Sequence, residues 1–162
     1  MTRETIAEVN AFLAAFAMLN DSCNHCCSYS LDPVPRNGTV DQSLMAHFEG
    51  IKNYDADGCI RSEGGWRLSV AEVDDWRREL RRLLSKWLFG EHFPQFTVGQ
   101  EFAKDNGCDW LMFKIDALLA GRLTIGWALE VDSDNVFYDL VFDDFALESD
   151  GRIYLMHFGF RD

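Results

Sequence analysis

Apolar residues recur at Ile6, Val9, Leu13, Phe16 and Leu19, a spacing that lines one face of a helix over 5–20. Thr5, followed three residues later by Glu8, has the form of a capping box. The stretch DSCNHCCSYSLDPVPRNG (21–38) breaks this period, and its two prolines and Asn-Gly predict mostly irregular chain. A short helix is expected over DQSLMAHFEGI (41–51), capped by Asp41. A short strand or hairpin is expected in the glycine-bounded NYDADGCIRSEGGWRL (53–68). The strongest helical pattern follows. Val73, Trp76, Leu80, Leu83, Leu84 and Trp87 share one face, and Ser69 with Glu72 resembles a second capping box.

Beyond residue 92 the pattern predicts sheet. FPQFTVGQEFA (93–103) reads as a strand, and DWLMFKID (109–116) alternates Leu111, Phe113 and Ile115 with Met112, Lys114 and Asp116. In RLTIGWALEVD (122–132), Leu123, Ile125, Trp127, Leu129 and Val131 keep a period of two. Asp150-Gly151 between FYDLVFDDFAL and RIYLMHFGF is a strong hairpin signal. Helices first and an antiparallel meander last predict an α+β fold, with residues 1–162 forming a single domain.

Composition narrows the functional classes. The chain is 48% hydrophobic and 14% aromatic, enough for a real core or for the lining of an apolar pocket. Its formal charge of −12 disfavours nucleic-acid binding, favours solubility and suits a basic protein partner. No run of eighteen uncharged apolar residues predicts a membrane span, and the first segment lacks the basic start and clean apolar run of a signal peptide. A cytoplasmic protein with mostly reduced cysteines is therefore expected. Arg77, Arg78, Arg81, Arg82 and Lys86 alternate with acids and read as a solvated face.

Cys23, His25, Cys26 and Cys27 crowd together, but zinc needs a distant second ligand pair, for which Cys59, Cys108 and His92 form no recognisable knuckle. No metal or other cofactor is expected. A zinc-stabilised module is the weakest of the readings. The adjacent acids Asp143 and Asp144 are more informative. On the strand 137–147, Asp143 shares a face with Val141, Phe145 and Leu147, while Asp144 shares one with Phe142 and Ala146. A carboxylate among apolar groups has a raised pKa and suits proton transfer. Alternatively, such an acid discourages strand aggregation or pairs with Arg152.

The order of long helix, glycine-bounded strand, second amphipathic helix and closing meander resembles the nuclear transport factor two-like, or SnoaL-like, cone fold. FDDFALESDGRIYLMHF (142–158) is similar to the end of the ketosteroid isomerase pattern. The resemblance implies helices packed on a curved antiparallel sheet around an apolar pocket, and a homodimer. It places Asp143 as an oxyanion-hole acid, with Asp144 at solvent or an interface, and Glu63 (or Asp57) as general base. The helix-one tyrosine of that pattern has no counterpart here, since Phe12 and Leu13 occupy the region. His157, sharing a face with Ile153 and Leu155, completes the catalytic candidates; Tyr54, Trp66, Trp127, Phe145 and His47 are the substrate-binding candidates.

Two functions follow as expectations. One is binding of an apolar small molecule, with acid–base isomerase, cyclase or dehydratase chemistry. The alternative is a non-catalytic acidic interaction protein, either an accessory subunit or an inhibitor or immunity protein for a basic partner.

Overall fold

A computed structural model describes residues 3–21, 26–54, 57–90, 100–119 and 123–161, with side chains from Ile6 in the first helix and from Asp105 in the last. The elements are α1 (Arg3–Asp21), β1 (Cys26–Val34), α2 (Val40–Glu49), β2 (Lys52–Tyr54), β3 (Ile60–Glu63), β4 (Trp66–Val73), α3 (Trp76–Phe89), α4 (Gln100–Leu119), β5 (Thr124–Ser133), β6 (Val141–Ser149) and β7 (Arg152–Arg161). Strands β4 to β7 form an antiparallel meander, and β1 returns to pair with β7. The sheet order is β1-β7-β6-β5-β4, and β2-β3 is a separate hairpin. The arrangement is α+β, with helices packed on the sheet.

Strand alternation divides the sheet into two faces. Tyr29, Leu31, Phe145, Leu147, Tyr154, Met156, Phe158 and Phe160 point toward α1, α3 and α4, whose Leu13, Leu80, Leu84, Trp87, Leu111 and Ile115 complete the larger core. Ala146, Ile153 and Leu155 point the other way and meet Val40, Leu44 and Phe48 of α2. Trp87 organises the larger core. Its ring stacks at 6.2 Å on Phe158, and its carbonyl accepts hydrogen bonds from Tyr29 Oη and Asn20 Nδ2, both 3.1 Å away. Gly126 lets α3 sit close, because a Cβ there would run into Trp76 and reach 2.8 Å from Phe145 Cζ.

The hairpin turn is as expected. Asp150 and Gly151 take φ of 53° and 72°, the left-handed pair of a type I′ turn, and set Ser149 opposite Arg152. Several other expectations are corrected. Residues 109–116 belong to helix α4, as do 100–103 of the expected strand 93–103; residues 91–99 lie outside the described residues. Leu111 and Ile115 fit both periods, but Met112, Leu118 and Leu119 are also buried whereas Phe113 is 68% exposed, which only a helix satisfies. Residues 26–34 form a strand despite Pro33, because an edge strand tolerates a missing N–H.

The caps are also revised. Thr39, not Asp41, caps α2, exchanging hydrogen bonds with Gln42. Asp75 caps α3 through Arg78 N, while Ser69 and Glu72 lie in β4. Helix α1 starts before Thr5, whose side chain lies outside the described residues. The basic face of α3 is solvated, as expected, and most of its cations also enter ion pairs. Arg77 pairs with Asp116 at 2.7 Å, Arg81 pairs with Asp109, and Arg82 pairs with Glu79 at 2.6 Å.

Replacing Trp87 by Ala is expected to cost about 3–5 kcal/mol in urea denaturation, as for other buried aromatic truncations. Trp87→Phe should cost less because it keeps the stack. A loss under about 1 kcal/mol for Trp87→Ala, the level of an ordinary surface change, would contradict this account of the core.

Candidate functional site

The two adjacent acids of β6 end in different environments. Asp143 faces the helices, where its Oδ2 accepts a 2.6 Å hydrogen bond from the Trp87 indole and pairs with Lys86. Asp144 faces α2 and is 4% exposed, so its expected placement at solvent or an interface is corrected. The cause is the hairpin register. The turn sets Asp144 directly opposite His157, and a strand face that carries Ala146 and Leu155 must be covered.

His157 is held between two carboxylates. Its Nδ1 lies 2.8 Å from Asp144 Oδ1 and its Nε2 lies 2.9 Å from Asp139 Oδ2. Burial disfavours a charged imidazole, but the hydrogen bonds and charges of Asp139 and Asp144 outweigh it and raise the pKa to about 9. At neutral pH the ring is an imidazolium, and both nitrogens donate. For Asp139, burial alone would raise the pKa. Bonds from His157, Arg161 and Ser28 outweigh it and hold the carboxyl below its ordinary value.

Arg161 Nε donates to Asp139 Oδ1 at 2.5 Å, and Ser28 Oγ donates to Asp139 Oδ2 at 2.8 Å. Tyr138 Oη lies 3.0 Å from His157 Nδ1 and 3.3 Å from Asp144 Oδ1; burial of this phenol raises its pKa. His157 and Arg161 thus balance Asp139 and Asp144. Gly159 makes the approach possible, since a Cβ there would collide with Asp139 Oδ2 and lie 2.8 Å from His157 Nε2.

An aromatic wall surrounds the cluster. Tyr138 packs edge-on against Phe48, Trp66 and Phe142, with centroids at 5.8, 5.6 and 4.9 Å. On this same side of the sheet, Trp66 Nε1, Trp127 Nε1 and Asp144 Oδ2 are buried and have no hydrogen-bond partner among the described residues. His47 of α2 is half-buried and its pKa is lowered by burial, opposed in part by the charges of Asp32 and Asp144.

The other sequence candidates lie elsewhere. Phe145 is buried in the helix-side core. Glu63 is exposed on β3 and pairs with Lys52 at 2.6 Å, and Asp57 is exposed at the hairpin tip. Tyr54 is 60% exposed and lines a surface cavity of about 550 Å³ with Asn53, Arg61, Asn135 and Phe137. The structure therefore brings His157, Trp66, Trp127 and His47 to one face, but places Asp143 and Phe145 on the opposite one and Glu63 on a separate hairpin. Sequence reasoning missed Asp144, Asp139, Tyr138, Ser28 and Arg161 as members of the cluster.

Cys23 and His25 lie outside the described residues, and no group of metal-ligating side chains assembles among the described ones. No helix among them is long and apolar enough to cross a membrane. No family model, curated protein or solved structure matches the chain.

The raised pKa of His157 fixes a pH dependence. An imidazole with a folded pKa of about 9 and an unfolded value of about 6.5 contributes stability that is complete below pH 6.5 and lost as pH rises through 9. The unfolding free energy from urea denaturation should therefore fall over that interval, by on the order of 3 kcal/mol in all. His157→Gln should flatten this slope. A slope unchanged in the variant would show that His157 is not its source. Gly159→Ala should destabilise the protein by about 1–3 kcal/mol through overpacking and shift the His157 titration seen by NMR toward its ordinary value.

Proposed function

We propose that this chain is a non-catalytic acidic interaction protein, an accessory subunit or inhibitor that captures a basic partner protein. The observation that supports it is the distribution of charge. Three of the four arginines of α3, Arg77, Arg81 and Arg82, are taken up by Asp116, Asp109 and Glu79. On the other side, Asp41 and Glu49 of α2 and Glu72 of β4 are exposed and enter no ion pair among the described residues. Uncompensated acids on one surface attract a cationic partner and repel other anionic macromolecules.

Affinity capture from the source cells at about 0.05 and about 0.5 M salt tests this, because the added ions shorten the screening length. Basic proteins should be retained at low salt, released at high salt, and retained several-fold less by the triple variant Asp41→Asn, Glu49→Gln, Glu72→Gln. A captured set indifferent to both salt and the variant would refute the proposal.

A second reading, a cone-fold relative that binds a small molecule through His157 and the aromatic wall, draws on the unpartnered Trp66 Nε1, Trp127 Nε1 and Asp144 Oδ2. On that reading Asp144 Oδ2 and the Trp66 and Trp127 indoles hold the polar groups of an otherwise apolar ligand. Mass spectrometry of the denatured protein should then release a stoichiometric small molecule that Asp144→Asn fails to carry. Release of none from either protein would remove this reading.

A further inference from the structure

We infer that the outer edge of β4 is a docking edge, to which an extended, Lys- or Arg-bearing strand of the partner adds as a sixth strand of the sheet. This rests on the reading of the chain as a captor of a basic protein, and it identifies where and in what form that partner binds.

The two edges of the sheet are treated differently. At the β1 edge, Asn10 of α1 occupies both main-chain groups of Leu31, donating to its carbonyl at 2.9 Å and accepting from its N–H at 2.7 Å. Asp21 accepts from the N–H of Cys27 at 2.5 Å, and Pro33 removes another donor. These are the devices that stop a strand from recruiting another. Strand β4 has none of them. It runs eight residues in unbroken register against β5, without proline or bulge. Among the described residues nothing takes up its outward main-chain groups. Its only cation, Arg67, is engaged by Asp132 and Asp134.

The surroundings select a cationic occupant. A groove of about 530 Å³ lies between β4 and α2, lined by Leu68 of β4 and by Asp41, Met45, Ala46 and Glu49 of α2. Asp41, Met45 and Glu49 recur every four residues, so acid, apolar and acid groups follow one another at about 6 Å intervals along one side of the helix. Side chains on one face of a strand recur at about 6.6–6.8 Å. A strand reading cation-x-apolar-x-cation therefore has a repeat close to that of the stripe. Glu72 on the α2 side and Glu130 on the other side extend the negative surface to both faces of the added strand. A second copy of this chain would bring the same acids to the same edge, so like charges oppose a β4-to-β4 homodimer.

The probe is the capped peptide Thr-Lys-Thr-Leu-Thr-Lys-Thr, titrated into the full chain by NMR at low salt, together with two N-methylated forms. One form is methylated on the threonines and the other on the Lys-Leu-Lys set. An added edge strand uses the N–H groups of alternate residues only, so one methylated form should bind at least tenfold more weakly and the other should bind about as the parent does. Shifts should centre on residues 66–73. Leu68→Lys, and separately Asp41→Asn with Glu49→Gln, which alters exposed side chains only, should each weaken binding at least tenfold.

Equal binding by the two methylated forms, shifts centred outside β4, or a homodimer that Leu68→Lys dissociates would each overturn the inference. Undiminished capture of a basic cellular partner by Leu68→Lys would also overturn it while leaving the acidic-capture reading in place. Absence of any salt-sensitive basic partner would remove both.

Discussion

The register of β6 against β7 is the constraint on which the rest depends. Two residues with positive φ, Asp150 and Gly151, close the hairpin, and every cross-strand pair from Ser149–Arg152 to Val141–Phe160 is counted from them. A slip of one residue would turn Phe145 and Leu147 away from the helices and drive Asp144 among them. Because β7 is also the partner of β1, the same slip would displace Tyr29 and Leu31 from the Trp87 core. A single turn therefore assigns Asp143 to one face and Asp144 to the other, and through them gives the sheet its two chemically different sides.

Those sides solve the problem of a buried charge differently. On the helix side Asp143 stays half-buried, with Lys86 reaching it from α3 and the Trp87 indole donating beside it. On the α2 side the charges are nearly sealed, so His157 is sandwiched between two acids and Arg161 balances the second. A buried ion set of this kind is a weak source of net stability, since desolvation consumes most of the attraction, but removing one member leaves a charge without a counterpart. It ties β6, β7 and the 134–140 segment together through Asp144, His157 and Asp139.

Much of this was legible in the residues, and the failures have identifiable causes. The α+β order, the α3 stripe and the β5 alternation follow from periodicity, and the 150–151 turn from its Asp-Gly pair. The α4 segment was misread because Leu111 and Ile115 satisfy periods of two and of four, and only the burial of Met112 and Leu118 separates them. The pairing of Asp144 with His157 was within reach, since counting outward from the turn sets them opposite each other. The resemblance pointed to Asp143 instead, and chain parity alone does not say which face receives the larger core. Asp139 and Arg161 were beyond reach. They meet His157 only because Gly159 leaves room and the segment before β6 folds back, and neither leaves a local pattern.

The strand order carries a consequence for biosynthesis. Strand β1 is made early, yet its partner β7 is made after the other six strands. Until β7 inserts, β1 and β6 each present an open edge, and the Trp87 core lacks Phe158 and Phe160. The ladder that joins β1 to β7 closes over more than a hundred intervening residues, so its loop entropy must be met before its contacts form. A nascent chain that stalls before β7 therefore holds open edges on β1, β6 and β4 where the finished five-stranded sheet leaves only that of β4, and its exposure to misassembly is set by the speed at which the last strand emerges.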